Sequence, residues 1–188
     1  MKTDARVRYT RKVIQEAFME RLKIKSINAV TVKEICDAAG VNRATFYKHY
    51  KDCHDLLGQM EDEELEQFDR ALRTNRKLGR EVISAALDVL DENRLLNETL
   101  INAGIQDALA NKMLRMAHDN CIEEWRRMMP KASPDEVEMV FSAVAAAIFR
   151  ITVGEYGKYG REAITEFSGR LIENSIRPFT DERGGTHG

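Results

Sequence analysis

Gly40 separates two short segments with helical periodicity, and this arrangement restricts the fold more than any other feature of the chain. The first segment begins with Thr31 and Glu34, three residues apart, which is the spacing of a capping box at a helix start. Its apolar residues recur at helical spacing on one face: Val32, Ile35, Cys36 and Ala39. Gly40 stands where a left-handed residue ends a helix, and Asn42 can cap the next one. The sequence therefore predicts two short helices joined by a tight turn.

The second of these helices has one inward face and one polar outward face. At about 100° per residue, Phe46 and Tyr50 lie together and must point to a core. The opposite side, its flanks and the helix start carry small or hydrogen-bonding side chains: Arg43, Ala44, Thr45, Tyr47, Lys48 and His49. Small residues let a helix approach a DNA major groove closely, and the polar ones can bond phosphates or base edges. This pattern predicts a helix-turn-helix whose second helix reads DNA; the alternative is a helical hairpin in a protein that does not bind DNA.

Charge is distributed unevenly along the chain. Residues 1–60 contain 12 Lys and Arg against 7 Asp and Glu, whereas the remaining residues contain 17 against 24, for a formal net charge of -2. A basic front and an acidic remainder indicate that the front meets a polyanion. Four basic residues near the start are expected to form an arm on phosphates or in a minor groove: Arg6, Arg8, Arg11 and Lys12.

Helical periodicity continues to the end of the chain and no stretch is typical of a strand, so we predict an all-α fold. The first helix is expected from about Thr10 to Lys25, and a long helix is expected to start after the N-cap Asp52. Ser133 as N-cap and Pro134 at the first helical position predict another helix start. Further helices are predicted over residues 79–93, 95–103, 107–129, 134–156 and 161–176.

Composition limits the class of protein. Three cysteines without a CxxC pair argue against a disulfide framework or a structural zinc site and favour a reducing compartment. The start of the chain has no apolar signal segment, and the longest apolar run, residues 140–149, is too short to cross a bilayer. The motifs of hydrolases, phosphate-binding loops and metalloproteases are absent from the sequence. We therefore expect a cytoplasmic protein, not an enzyme, without a metal or another cofactor.

The segment TVKEICDAAGVNRATFYKHYKDCHDLL, preceded by TRKVIQEAFMERL, resembles the DNA-binding domain of the TetR family of bacterial transcriptional regulators. The resemblance covers about residues 10–57, and its specific motifs are T-V-x-x-I, A-G-V and T-F-Y-x-H-Y. It implies a three-helix, helix-turn-helix DNA-binding domain at residues 1–52, a helical ligand-binding and dimerisation domain at 53–177 and a flexible tail at 178–188. Carried over position by position, it implies DNA contacts from Thr31, Arg43, Ala44, Thr45, Tyr47, Lys48, His49 and Lys51.

The resemblance also implies how such a chain works. A homodimer sets its two reading helices in successive major grooves of double-stranded DNA, on a near-palindromic operator. A small-molecule effector bound among the later helices releases or modulates the regulator, which is expected to be a repressor. The alternative is a TetR-like DNA-binding protein without a small-molecule ligand, controlled by a protein partner or by thiol oxidation.

Two sets of residues in the later helices are candidates for the ligand site and the dimer interface. Thioethers and aromatic rings adapt to apolar guests, and the ligand candidates are Met113, Met116, Trp125, Phe141 and Val144. Small and apolar faces permit close approach of a second copy, and the interface candidates are Ala143, Ala147, Ile164, Phe167 and Leu171. Packing within one chain is the alternative for both sets.

Cysteine and histidine positions raise two further questions. The family often has Lys where this chain has Cys53, so a phosphate contact there would come from Lys51 or His54 instead. A thiol at a helix N-terminus can also have a low pKa and be oxidised, although such a cysteine is more often incidental. His118 and Cys121 have a spacing that suits two metal ligands, but no further ligand accompanies them in the sequence, so a solvated His and a core Cys are expected.

Overall fold

The structure, a computed structural model, describes residues 2–74, 80–102, 104, 107–154 and 156–180. Within these ranges it contains helices and no strand, which confirms the predicted fold class. The α-helices are α1 (Lys2–Leu22), α2 (Val32–Ala39), α3 (Arg43–Tyr47), α4 (Cys53–Thr74), α5 (Arg80–Glu92), α6 (Arg94–Asn102), α7 (Asp107–Met128), α8 (Pro134–Gly154), α9 (Tyr156–Tyr159) and α10 (Arg161–Ile176). Short 3-10 turns lie at Ile27–Ala29 and Arg177–Phe179. None of the helices in the described ranges has the length and hydropathy needed to cross a bilayer.

The observed helices differ from the predicted ones mainly at their ends. α1 begins at Lys2 rather than near Thr10, because a mostly polar helical segment gives no apolar stripe from which its start can be recognised. Thr10 continues this helix, and its Oγ1 donates to the backbone carbonyl of Arg6 at 2.9 Å. The short helix α9 has no counterpart in the prediction. Of the predicted tail, the part up to Thr180 is described and the rest lies outside the described residues.

Side-chain caps explain where two of the longer helices begin. Oδ1 of Asp52 accepts a hydrogen bond from the backbone N–H of Asp55 at 2.8 Å, at the start of α4. Oγ of Ser133 accepts from the backbone N–H of Glu136 at 3.3 Å, and the Glu136 carboxylate accepts from the Ser133 N–H at 2.7 Å. This reciprocal pair is a capping box, so both predicted helix starts are confirmed.

The chain forms two compact units. One contains Met1–Glu64 with Asn93–Asp107, and the other contains Leu65–Glu92 with Ala108–Gly188. In the first unit α1 packs against α2 and α6, around buried side chains that include Ile14, Phe18, Ile35, Phe46, Tyr50 and Leu56. In the second unit α10 packs against α5 and α8, around a core that includes Ile83, Leu87, Trp125, Val137, Phe141, Ile164 and Ile172. The predicted division after residue 52 stays a prediction.

A buried carboxyl group lies in the first unit, on α4. Glu64 has no exposed surface, and its Oε1 accepts a hydrogen bond from Nδ2 of Asn97 on α6 at 2.8 Å. Its Oε2 has no hydrogen-bond partner. Burial raises the pKa of Glu64 from the ordinary 4.5 to about 7; the hydrogen bond from Asn97 opposes this rise, and the charge of Glu61 adds to it. The folded chain therefore holds a proton here that the unfolded chain has already released in weakly acidic solution.

This proton predicts a pH dependence of the free energy of unfolding. Between the unfolded pKa of 4.5 and the folded value of about 7, the folded state binds more protons than the unfolded state, so stability falls as pH rises. A rise of this size corresponds to on the order of 3 kcal/mol at most. We expect Glu64→Gln, which keeps the acceptor for Asn97, to flatten this decline in urea unfolding experiments. Asp62→Asn, on an exposed neighbour, should leave the decline unchanged, and a slope equal in wild type and Glu64→Gln would contradict the assignment.

Candidate nucleic-acid interface

The start of α2 is fixed by a capping box. The backbone N–H of Glu34 donates to Oγ1 of Thr31 at 3.3 Å, and the Thr31 N–H donates to Oε2 of Glu34 at 3.0 Å. Lys25 forms an ion pair with the same carboxylate. The Lys25 and Thr31 hydrogen bonds lower the pKa of Glu34 to about 2, so this carboxylate stays ionised. The Thr31 side chain is exposed, and its hydroxyl oxygen already accepts a hydrogen bond in the capping box. Its predicted DNA contact stays a prediction.

The turn between α2 and α3 depends on Gly40. Its φ of 65° and ψ of 29° are left-handed, and its N–H donates to the carbonyl of Cys36 to end α2. A Cβ at this position would meet no atom within 4 Å, so a larger residue is disfavoured by the backbone conformation rather than by a clash. Val41 then donates its N–H to the same Cys36 oxygen at 3.0 Å. The turn predicted from the sequence is confirmed.

The short helix α3 is held at its start by a cap and at its inner face by two rings. Oδ1 of Asn42 accepts hydrogen bonds from the N–H of Thr45 at 2.7 Å and from its hydroxyl at 3.0 Å. Phe46 and Tyr50 are 0% and 2% exposed, and their ring centroids lie 5.5 Å apart. Both predicted inward residues are therefore in the core. The opposite side of α3 is left to face solvent.

The outward face of α3 and the turn after it, which we call the reading face, consists of residues 43–45, 47–49 and 51. Arg43, Ala44, Tyr47, Lys48 and Lys51 are exposed, and Thr45 and His49 are half-buried. Tyr47 is 57% exposed, and its ring packs at 88° against Phe46, 5.6 Å between centroids. A buried ring thus supports an exposed one, which limits the positions that the Tyr47 hydroxyl can reach.

The cations of the reading face carry uncompensated charge. Arg43, Lys48 and Lys51 form no ion pair with any residue in the described ranges. Elsewhere in the first unit, by contrast, Arg11, Lys23 and Lys25 are paired with Glu63, Glu20 and Glu34. Unpaired cations around a small central residue, Ala44, suit a phosphate backbone on either side of a groove.

A polar cluster that the sequence does not predict lies behind this face. Arg11 donates from Nε to the Tyr50 hydroxyl at 3.3 Å and from Nη2 to Oε1 of Gln59 at 3.4 Å, and it forms an ion pair with Glu63. Gln15 donates to the second Glu63 oxygen at 3.3 Å. We call these five residues the Arg11 cluster. Within the first unit it joins three parts of the chain: α1, α4 and the end of the turn that follows α3.

The Arg11 cluster also reaches the backbone of the reading face. Nε2 of Gln59 donates to the carbonyl oxygen of His49 at 3.3 Å and to the Asp55 carboxylate at 3.0 Å. Burial raises the pKa of the Tyr50 hydroxyl, against the opposing effect of Arg11, so Tyr50 stays protonated. The expected role of Arg11 in a basic arm is thereby corrected: its side chain points at α4 rather than away from the unit. The sequence signal that could have shown this is the polar pair at i and i+4 on each of α1 and α4.

A family model described as bacterial regulatory proteins, tetR family, matches residues 16–60. The matched span runs from α1 through the capping box, Gly40 and the reading face into α4. This segment of the chain is similar to the bacterial tetR family of regulatory proteins. The match supports a DNA-binding transcription regulator, and the reading face lies within the matched segment.

A solved structure supports the same assignment at the level of the fold. The chain is similar to the dihydroxyacetone kinase operon activator DhaS, with a TM-score of 0.60 and 21% sequence identity, over 92% of this chain and 98% of that one. At this identity the likeness shows the fold alone. No curated protein matches the chain.

At Cys53 the structure contradicts the alternative of a reactive, low-pKa thiol. Cys53 is 7% exposed, and its Sγ lies 3.5 Å from the carbonyl oxygen of Val30. Burial, aided by the charge of Asp52, raises the pKa of Cys53, which contradicts a low-pKa thiolate at the start of α4. His54 beside it is exposed and remains available to phosphate, as does Lys51.

In the second unit, an apolar cavity of about 110 Å³ contains four of the five ligand candidates in its wall: Met113, Trp125, Phe141 and Val144. Met116 lies outside the wall, because the lining residues of α7 occupy a different arc of the helix from Met116. Sequence reasoning missed several wall residues on other helices: Phe68, Leu72, Leu87, Leu90 and Ile148. Aliphatic residues at helical spacing do not distinguish a cavity wall from a filled core.

The dimer candidates lie on α8 and α10 with different exposure. Ala143 is exposed, Ala147 and Leu171 are half-buried, and Phe167 is 44% exposed. Ile164 is 1% exposed and belongs to the core of its own unit, so its placement at an interface is corrected. Met139, 63% exposed on α8, is a further exposed apolar residue, about one helical turn before Ala143. We call the surface of Met139, Ala143, Ala147 and Phe167 the α8–α10 face.

The His118 and Cys121 pair is not a metal centre in the described structure. Nε2 of His118 lies 2.7 Å from Oε2 of Glu138, and its Nδ1 lies 3.2 Å from Asp119. The Glu138 hydrogen bond raises the pKa of His118. Within the described residues, no three His, Cys, Asp or Glu side chains gather as a metal site would require.

The Arg11 cluster leads to a prediction about stability. We expect Arg11→Met to lower the free energy of unfolding by roughly 1–2 kcal/mol, because it removes hydrogen bonds to Tyr50 and Gln59 and leaves Glu63 without its cation. The expected loss of unfolding free energy is small because the Arg11 and Glu63 side chains are 34% and 44% exposed, so water screens their charges. Urea unfolding measures the change.

Lys12→Met is the matched control for that experiment. Lys12 is the next residue on α1, its side chain is 72% exposed, and it approaches Glu16 only to 3.9 Å. Equal unfolding free energies for Arg11→Met and Lys12→Met would show that the cluster does not stabilise the unit.

Proposed function

We propose that this chain is a TetR-family transcriptional repressor that binds a near-palindromic operator as a homodimer, in the cytoplasm, and is released or modulated by a small-molecule effector. The observation that carries the proposal is the reading face, where Ala44 and three cations without ion pairs in the described ranges are exposed on α3 and the turn after it. Operator occupancy excludes other proteins from a promoter, and this is the mode of repression that we propose. We further propose residues 1–52 as the DNA-binding domain and 53–177 as the ligand-binding and dimerisation domain.

Affinity and sequence choice are assigned to different parts of the reading face. Arg43, Lys48 and Lys51 neutralise phosphates and release counterions, a contribution that falls steeply with salt. Tyr47 and His49 offer hydrogen-bonding groups to base edges or phosphates, and Ala44 allows close approach to the groove floor. Thr31 and Thr45 lie at helix starts, where hydroxyl groups commonly meet the DNA backbone. The proposed role of each residue rests on its exposure and chemistry.

The homodimer is supported by the α8–α10 face. An exposed apolar surface that includes Met139 and Phe167 is costly in water and is removed by a second copy. Small residues at Ala143 and Ala147 would let the two α8 helices approach closely. A two-fold pair would present two reading helices about 34–36 Å apart, one turn of DNA.

Effector control is supported by the apolar cavity and by the continuity of α4. This helix contributes Cys53–Glu64 to the first unit and Leu65–Thr74 to the second, and Phe68 and Leu72 line the cavity. A ligand that favours one position of these side chains would bias the position of α4, to which the Arg11 cluster ties the reading face.

The alternative is a regulator without a small ligand. It is favoured by the size of the cavity, about 110 Å³, which is below the volume of drug-sized ligand sites. Control would then come from a protein partner, since the buried Cys53 argues against thiol oxidation at the reading domain. The similar structure is named as an operon activator, and a reporter gene that loses expression on deletion of this chain would indicate activation here as well.

The reading face leads to a prediction for operator binding. We expect Tyr47→Ala and His49→Ala each to weaken binding about ten- to hundredfold, or about 1–3 kcal/mol, because each removes a hydrogen-bonding side chain aimed at DNA. The operator is first obtained by genome-wide footprinting, and a gel shift at constant salt measures the affinity.

Leu95→Ala is the control, since Leu95 is 39% exposed on α6 and lies outside both the reading face and the basic segment at the start of α1. Tyr47→Phe keeps the ring that packs on Phe46 and removes only the hydroxyl. Wild-type affinity in both Tyr47→Ala and His49→Ala would remove these residues from the DNA contact.

The α8–α10 face leads to a prediction for assembly. We expect Phe167→Glu to give monomers in sedimentation velocity, because a charge would have to be buried without a partner at the two-fold contact. Ile24→Glu is the control, at a residue 69% exposed that follows α1 in the first unit. A dimer that persists in Phe167→Glu would place the interface elsewhere.

A further inference from the structure

The cavity of the second unit has a wall of one chemical kind. The described residues that line it include no Lys, Arg, Asp, Glu or His. Aliphatic side chains from α4, α5 and α8, such as Leu72, Leu87 and Ile148, form much of the surface. Thr152 and Cys121 add one hydroxyl and one thiol, and burial raises the pKa of that thiol to about 11, so it is uncharged at neutral pH. A charged guest would therefore lose its hydration without gaining a counter-charge.

The aromatic residues of the cavity wall are held in place by neighbouring side chains, one of which, His118, does not line the cavity. Phe141 meets Trp125 edge to face, with ring centroids 5.4 Å apart, and meets His118 in the same way at 5.4 Å. His118 is fixed in turn by Glu138, 2.7 Å from its Nε2. Phe141 is thus packed between two rings, and one of them is anchored by hydrogen bonding. This support favours a preformed cavity over one that collapses when empty.

The wall also contains one buried donor without an acceptor. Nε1 of Trp125 has no hydrogen-bond partner, although Trp125 is only 2% exposed. An unsatisfied buried N–H is costly, and native structures usually supply an acceptor from protein, water or ligand. A guest whose single hydrogen-bond acceptor reaches Nε1 would remove this deficit, whereas a guest with several polar groups would bring new unsatisfied groups into the same apolar space.

The volume limits the size of the guest. The cavity measures about 110 Å³. A dry apolar cavity of roughly 150 Å³ lined by similar side chains is large enough for benzene. The space here therefore suits a molecule of about one small ring.

We propose that this cavity binds an uncharged, largely apolar molecule of single-ring size with one hydrogen-bond acceptor, and that it rejects ions and polyols of the same size. The inference deepens the proposed effector control and rests on it for the regulatory role. Binding itself does not depend on DNA, so the two can be tested separately.

Three probes with six non-hydrogen atoms each separate size from chemistry. Cyclopentanol is uncharged and apolar with one oxygen, cyclopentylammonium carries a charge on the same ring, and glycerol is an uncharged polyol. Isothermal titration calorimetry of the full chain measures binding, and the emission of Trp125, the one Trp of the sequence, reports occupancy of the wall. We expect cyclopentanol to bind at least tenfold more tightly than either of the others. Equal binding of all three, or no binding of cyclopentanol, would overturn the proposal.

Neighbouring alanines on α5 provide matched variants. Ala86 lines the cavity, whereas Ala85, also half-buried, does not. We expect Ala86→Leu to fill the space and weaken cyclopentanol binding at least tenfold, and Ala85→Leu to leave it unchanged. If Ala86→Leu unfolds, Ala145→Leu narrows the same cavity from α8. Unchanged binding in a folded cavity-narrowing variant would contradict the assigned site.

Operator affinity with and without cyclopentanol then distinguishes the two proposals. Loss of probe binding with intact operator binding would overturn the ligand class and leave the DNA-binding function standing. Probe binding to a chain that shifts no operator DNA would support the ligand site and contradict the proposed function. Probe binding that leaves operator affinity unchanged would support the site and contradict its role in effector control.

Discussion

The reading helix has five residues, far too few to be stable alone, and the DNA-binding unit depends on how this helix is anchored. Two buried rings, Phe46 and Tyr50, provide the inner anchor, and Asn42 provides the cap at its start. The Tyr50 hydroxyl is then bonded to Arg11, which ties the end of the element to α1 and α4. Because Phe46 and Tyr50 anchor α3 and the turn after it from one side, the other side faces solvent and can carry side chains that contact DNA.

The two units use opposite chemistry for recognition. The reading face presents cations and hydrogen-bonding groups in water, where association is steered over a distance and depends on salt. The cavity of the second unit presents almost no polar atoms, so a guest proposed to bind there would be selected by shape, size and the cost of removing water from it. α4 contributes residues to both units, including Gln59 in the Arg11 cluster and Phe68 in the cavity wall.

Local signals were the predictable part of this structure. Thr31 with Glu34, Gly40, Asn42 and Ser133 each act within four residues along the chain, and their positions alone gave the starts and the turn of the helices. Contacts between distant residues were not predictable in this way. From the sequence, Arg11 is indistinguishable from a DNA-contacting residue of a basic arm. Only the structure shows that it pairs with Glu63, 52 positions later. Ile164 and Phe167 share an apolar pattern on α10, and only the packing of the unit shows that one is core and the other surface.

The burial of the three thiols determines how this protein responds to oxidants. Cys36 and Cys53 are buried, and burial raises the pKa of both; Cys121 has a pKa of about 11 for the same reason. The nucleophilic thiolate is therefore scarce at all three positions, and reaction with peroxide or with a disulfide requires it. A brief oxidative burst would therefore leave the thiols of the DNA-binding unit chemically intact.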